Sequence, residues 1–165
     1  MSRLWDVTGV DALAVMTEIF GESVGQLAPF QSLETVLGGQ DCSVLRLCDR
    51  NFRIVAPSLQ VAAQQVYLRQ FDWLSRIRLP IEQLSLLPPV ATVRPPHRLK
   101  NLPESCAVPI QVSGIAVLLW HHAYQGQPIL EGHTARHSLE TLLNALPQAI
   151  PIENQPSATS LVTSA

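Results

Sequence analysis

The stretch CAVPIQVSGIAVLLW, residues 106–120, decides the fold that we expect for this chain. Apolar residues occupy every second position on each side of Ser113-Gly114: Val108, Ile110 and Val112 before it, and Ile115, Val117 and Leu119 after it. A repeat of two is typical of a β-strand with one buried face, and Ser-Gly suits a tight turn. We therefore predict a β-hairpin at the centre of a sheet, and it runs directly into His121 and His122.

Length and composition indicate one compact domain. The chain has 165 residues, of which 47% are hydrophobic and 15% are charged, so it can bury a large core. We expect the domain to cover residues 1–150. Residues 151–165 are mostly small and polar, and we expect them to form a disordered tail.

Several classes of protein are not expected. The longest unbroken apolar run, residues 115–120, is far shorter than the roughly 20 residues of a membrane-spanning helix, so we predict no membrane insertion. No apolar signal segment follows Met1. The three cysteines lack CxxC spacing and suit a reducing compartment, which predicts a cytoplasmic protein. The sequence has no glycine motif for binding a nucleotide, and we expect no cofactor.

Helical spacing and capping residues predict helices beside the strands. Ser58 would cap the longest helix, along which Ala62, Val66 and Trp73 form an apolar stripe. The predicted helices cover residues 11–20, 30–37, 59–77 and 134–146, and further strands cover residues 43–48, 52–56 and 90–94. Because tight turns join neighbouring strands, we predict an α+β domain with a largely antiparallel sheet and helices packed on it.

Two stretches resemble the GAF family of small sensory domains. SVLRLCDRNFRIVAP, residues 43–57, is similar to an early hairpin of that family. AVPIQVSGIAVLLW, residues 107–120, followed by SLETLL, residues 138–143, is similar to its late hairpin and closing helix. The resemblance implies a GAF-like or profilin-like fold, and a role in ligand sensing, dimerisation or regulation. Family members that bind bilins usually carry a Cys-His pair, which this chain lacks, and a roadblock-type fold also fits residues 32–57.

Charge is segregated along the chain. Residues 42–100 hold nine Arg or Lys against three acidic residues, whereas the segments on either side are acidic. Basic residues at the end of this segment would bind a protein partner or a small anion: Arg76, Arg78, Arg94, His97, Arg98 and Lys100. The alternative is that the acidic segments pack beside the basic one within the same chain. Since no Phe, Trp or Tyr lies between Trp73 and Trp120, base stacking has no platform, and we do not expect a nucleic-acid partner.

Four histidines lie within seventeen residues, at positions 121, 122, 133 and 137. His121, His133 and His137 would supply ligands to a tetrahedral metal if the chain brought them together. The alternative is a solvated loop with hydrogen-bonded histidines.

A second apolar stripe on the predicted long helix indicates self-association. Tyr67, Phe71 and Leu74 follow helical spacing, offset from the first stripe. A helix with two apolar sides must bury both, and a second copy of the chain would cover one of them. The alternative is packing within one chain.

These observations predict a non-catalytic regulatory or adaptor domain that acts through protein–protein interaction as a homodimer. The alternative is a small-molecule or anion sensor with a pocket near the loop at residues 94–100. A third hypothesis is a small metal-dependent enzyme that uses the segment at residues 121–137.

Overall fold

The computed structural model describes residues 2–61, 66–124 and 126–152. These residues form eleven strands: β1 (Arg3–Thr8), β2 (Gln31–Leu37), β3 (Gln40–Cys48), β4 (Asn51–Ala56), β5 (Tyr67–Gln70), β6 (Leu74–Pro80), β7 (Ala91–Thr92), β8 (Cys106–Val112), β9 (Ile115–Tyr124), β10 (Gln127–Ala135) and β11 (Ile150–Ile152). They also form three helices: α1 (Ala12–Phe20), α2 (Glu22–Gly25) and α3 (Leu139–Ala145). Single 3₁₀ segments cover Ile81–Leu86 and Arg136–Ser138.

The strands form one antiparallel sheet. Its order is β11-β6-β10-β9-β8-β2-β3-β4-β1-β5, with β7 paired to β8 beside this path. Residues 71–73 alone connect β5 to β6, although these strands lie near opposite ends of the order. The sheet must therefore curl, and it forms a half-barrel.

The convex side of the half-barrel carries two apolar clusters. Met16 of α1 and Val24 of α2 pack with Phe52 of β4 on one half of the sheet. On the other half, Leu142 of α3 and Leu99 of the loop between β7 and β8 belong to the cluster that covers the outer side of β6, β8, β9 and β10. The three helices thus cover the outside of the sheet.

The concave side carries a third cluster. It joins side chains from both halves of the sheet: Leu4, Leu45, Val55, Phe71, Ala107 and Trp120. Because strands far apart in the order contribute to it, this cluster lies in the interior of the half-barrel. Charged side chains lie on the same face.

The predicted fold class is wrong. The sequence predicts a GAF-like or profilin-like sheet with helices packed on it, whereas strands dominate the structure and the sheet itself curls into a half-barrel with three short helices on its outside. The predicted helix at residues 30–37 is β2, whose partner β3 follows a turn in which Gly38 and Gly39 have positive φ. In the described part of residues 59–77, β5 and β6 replace the predicted long helix.

Other predicted elements are confirmed. The hairpin at residues 106–120 is β8 and β9, and residues 43–56 form the hairpin of β3 and β4. The first helix ends before Gly21, although the Asp11 side chain makes no capping hydrogen bond. The last helix is shorter than predicted, because residues 134–135 belong to β10.

The predicted boundary near residue 150 also differs. β11 pairs with β6, so residues 150–152 belong to the sheet. The rest of the predicted tail lies outside the described residues. Among the residues that are described, no helix is long and apolar enough to cross a membrane.

Candidate functional site

Five side chains form a charge cluster inside the half-barrel, centred on Glu131. Arg76 donates to both carboxylate oxygens of Glu131, from Nε at 3.1 Å and Nη2 at 3.0 Å. His122 Nε2 lies 3.1 Å from Oε1, and His133 Nε2 lies 2.5 Å from Oε2. Arg53 Nη1 then donates to His133 Nδ1 over 3.0 Å. We call these five residues the interior charge cluster.

Strand alternation directs these side chains inward. Glu131 and His133 occupy alternate positions on β10, while Leu130, which precedes Glu131, packs on the convex side. β10 lies between β6 and β9, which carry Arg76 and His122. Three adjacent strands therefore bring four polar side chains to one patch, and the curl of the sheet brings Arg53 of β4 to the same place.

An aromatic side chain and a hydroxyl group support the cluster. The Trp120 ring stacks on His122 with 3.8 Å between centroids and an interplanar angle of 16°. Its Nε1 donates to Ser32 Oγ over 2.8 Å. The rotamer of His122 is therefore fixed by a large neighbour that is itself held by a buried hydrogen bond.

The histidines of the cluster carry different charges at neutral pH. Burial lowers the pKa of His122, but its contacts with Glu131 and Glu34 outweigh burial and raise it to about 9. Burial lowers the pKa of His133 to about 4, with Arg53 and Arg76 adding to the effect. His122 is therefore protonated, whereas neutral His133 donates from Nε2 and accepts from Arg53 at Nδ1.

Glu131 is ionised. Burial alone would raise its pKa, but Arg76 and the two histidines lower it well below the ordinary value. Its side chain has no exposed surface. The carboxylate therefore holds other side chains in place and cannot reach a ligand in solution.

A cleft opens beside Arg53 and His133, with a volume of about 640 Å³. Its inner wall is mainly apolar and includes Phe30, Leu47, Leu74 and Leu118, and His137 and Ser138 also border it. We call it the hairpin-side cleft, because Gly114 at the turn between β8 and β9 lines it.

A second cleft, of about 510 Å³, borders Glu34 and Asp41. Ser43 Oγ donates a hydrogen bond to Glu34. The nearest carboxylate oxygen of Glu34 lies 3.4 Å from His122 Nδ1, which has no partner in hydrogen-bond geometry. The interior charge cluster thus lies between two clefts of different charge.

The structure separates the six basic residues that the sequence predicts as a binding surface. Arg76 is buried in its ion pair, and His97 packs edge-on against Phe30 with 5.0 Å between ring centroids. The other four are exposed: Arg78, Arg94, Arg98 and Lys100. None of the six lines either of the two clefts described above.

The predicted metal ligands do not converge. His121 faces the convex side of the sheet, where its Nδ1 lies 2.8 Å from the carbonyl oxygen of Leu102. His133 faces the interior, and exposed His137 lies in the 3₁₀ segment after β10. Within the described ranges, no group of three His, Cys, Asp or Glu side chains could hold a metal ion.

The predicted dimer stripe has no helix to carry it. Tyr67 lies on β5 and is exposed, Phe71 is buried between β5 and β6, and Leu74 begins β6. Phe71 packs in the interior cluster, where the guanidinium carbon of Arg53 lies 5.1 Å from its ring centroid. The three residues therefore do not form one surface.

Sequence reasoning located the histidine-rich segment but missed Arg53. The available signal was alternation, because Arg53 lies between Phe52 and Ile54, which pack on the other face of β4. Which face of a strand meets a polar interior depends on the strand order, and that order was not readable from the chain.

Comparisons with known proteins give the fold and no more. No family model matches the chain, and no curated protein matches it. Its structure is similar to the crystal structure of glycine cleavage system aminomethyltransferase T from Bartonella henselae, with a TM-score of 0.65 and 13% sequence identity. The match covers 87% of this chain and 42% of that one, so this chain spans less than half of that protein. The GAF resemblance stays a prediction from the sequence.

Proposed function

We propose that this chain is a non-catalytic domain that binds a small molecule in the hairpin-side cleft. A volume of about 640 Å³ falls within the range of small-molecule sites, and the wall combines apolar side chains with a few polar groups. The proposal keeps the sensor hypothesis from the sequence but changes the site. The sequence predicted a pocket near the loop at residues 94–100, and we now propose the hairpin-side cleft.

One observation carries the proposal: Arg53, which is partly exposed, lies in the wall of this cleft among mainly apolar side chains. A guanidinium offers several N–H donors in a fixed plane, and a single charged group in an apolar wall is the kind of polar contact that orients a small ligand. The rest of the interior charge cluster serves as a rigid support, since Glu131 is closed off behind His133.

The same proposal places the protein in the cytoplasm and gives it a regulatory role as a homodimer. Cys42, Cys48 and Cys106 are all free, which suits a reducing compartment. An adaptor role would use the exposed side chains of Arg94, Arg98 and Lys100.

A fragment screen by ligand-observed NMR tests the proposal. Ala116 lines the cleft and is exposed, so Ala116→Phe would fill the cleft without displacing the core. Ala28→Phe is the matched control, because Ala28 is exposed and lines neither cleft. We expect fragments that bind the wild type and Ala28→Phe and bind Ala116→Phe far more weakly. Binding that Ala116→Phe leaves unchanged, or no binding at all, would overturn the proposal.

A further inference from the structure

The charge of the hairpin-side cleft is one-sided. Arg53 supplies a full positive charge to its wall, and His133 and His137 supply imidazoles. Among the described residues that line this cleft, none is acidic. A ligand with a negative group would therefore meet a cation in the wall of the cleft and no carboxylate among these lining residues.

Among the described residues, no carboxylate forms an ion pair with Arg53. Its Nη1 donates to a neutral imidazole, and its guanidinium lies over the Phe71 ring. The nearby carboxylate of Asp6 is bonded to Arg69 at 3.3 Å. The planar guanidinium thus keeps donor capacity for a planar anion, which a carboxylate matches in a two-point contact.

The cleft also selects against a strongly charged ligand. Phe30, Leu74 and Leu118 make most of its inner wall apolar, and a single guanidinium balances one negative charge. A phosphate with two charges would leave one of them against apolar surface, at a cost in desolvation.

We propose that the ligand of the hairpin-side cleft is a small organic acid, with its carboxylate on Arg53 and its apolar part against Phe30, Leu74 and Leu118. This inference rests on the proposed function, because it names the class of ligand for the same cleft. His133 acts as a positioning residue: Glu131 fixes its tautomer, and its Nδ1 accepts from Arg53 and sets the direction of the guanidinium.

A matched pair of probes tests the class of ligand. 4-Phenylbutyrate and 4-phenylbutyramide have the same apolar part, and only the first is charged. Calorimetric titration of the wild type should show that the acid binds about tenfold more tightly than the amide, because hydrogen bonds to charged groups are the stronger kind. Arg53→Gln should abolish that preference, and Arg98→Gln on the exposed loop should preserve it.

Direct observation of Arg53 keeps the test independent of how well Arg53→Gln folds. In the wild type, the Nε–Hε NMR signal of Arg53 should shift on addition of the acid and stay in place with the amide. Equal binding of the two probes at the cleft would overturn this inference and leave the proposed function intact. A preference for the acid that survives Arg53→Gln, or an Nε signal that the acid leaves unmoved, would also overturn it. Failure of every fragment and both probes to bind would remove the proposed function as well.

Discussion

Arg76 and Glu131 form a two-point ion pair inside the sheet, and neither side chain has exposed surface. The pair joins β6 to β10 across the concave face. Arg76 Nη1 also donates to the carbonyl oxygen of Ser2 over 3.3 Å, which ties the start of the chain to the same ion pair. Charges this deeply buried are stable only while each retains its partner.

Glu131→Gln should therefore be strongly destabilising. The change leaves Arg76 and protonated His122 without their carboxylate, and loss of one member of a buried pair costs about 3–5 kcal/mol. Urea denaturation followed by circular dichroism measures the free energy of unfolding. The matched control is Glu104→Gln, an exposed loop residue, which should change that free energy by less than about 0.5 kcal/mol.

The same pair should be energetically coupled. We expect Arg76→Met combined with Glu131→Gln to destabilise by clearly less than the sum of the single changes, because the double variant leaves no guanidinium facing a missing carboxylate. A double-mutant cycle in urea gives the coupling free energy. Additive effects would show that the ion pair is not the source of the cost.

Loss of the proton from His122 should make the protein less stable in alkali. Its folded pKa of about 9 lies above the ordinary value of 6.5, so the folded state binds the proton more tightly than the unfolded chain. This stabilisation is complete below about pH 6.5 and is lost as the pH rises to about 9, by about 3 kcal/mol at most. Stability curves should fall over this range in the wild type and lie flatter in His122→Gln. Parallel curves for the two proteins would contradict the assignment.

Protonation of His133 should make the protein less stable in acid. Its folded pKa of about 4 lies below the ordinary value, so the unfolded chain takes up the proton first as the pH falls. Stability is therefore complete above about pH 6.5 and declines towards pH 4, by about 3 kcal/mol at most. His133→Gln should remove this part of the decline. The imidazole signals of His133 in NMR should also show no titration between pH 8 and pH 5 in the folded protein.

Gly132 on β10 should not accept a side chain. A Cβ placed there would lie 2.9 Å from Ile77 Cγ1 and 3.2 Å from Val117 Cγ1, inside the convex cluster. Gly132→Ala should cost about 1–3 kcal/mol through overpacking. Gly25→Ala is the control, since its Cβ would meet only the Thr17 hydroxyl at an ordinary 3.5 Å. Combining Gly132→Ala with Ile77→Ala should cost less than the two changes summed, and a fully additive result would show that Ile77 is not the obstacle.

The β3–β4 and β8–β9 hairpins were readable from the sequence, whereas β2, β5 and β6 were predicted as parts of helices for identifiable reasons. Residues 31–37 alternate between the two faces of β2, and Gly38-Gly39, which would suit the end of a helix over residues 30–37 equally well, forms the turn of a hairpin. In β6, Ile77 and Leu79 face the convex cluster while Arg76 faces the interior, so the period of two was present. The helical spacing predicted over residues 59–77 concealed this period of two.

The candidate site could be predicted only in part. The segment containing His122, Glu131 and His133 stood out by composition, but their contacts depend on β10 lying between β6 and β9. The sequence alone predicts that Arg76 is a surface cation. Its burial follows only from the pairing of its strand with that of Glu131. Pairing between distant strands is set by the tertiary fold, which local patterns do not encode.

The contact between Arg53 and His133 spans 80 positions of the chain, and it has a consequence for the order of folding. Arg53 is on β4 and Arg76 is on β6, so both guanidiniums precede the carboxylate of Glu131 on β10. Until β10 joins the sheet, Arg76 lacks the carboxylate of its ion pair and must remain in contact with water. Water therefore leaves the concave face only after β10, the last long strand, has paired. Because this pairing joins residues that are far apart in the chain, we expect folding to be slow and cooperative across the whole domain.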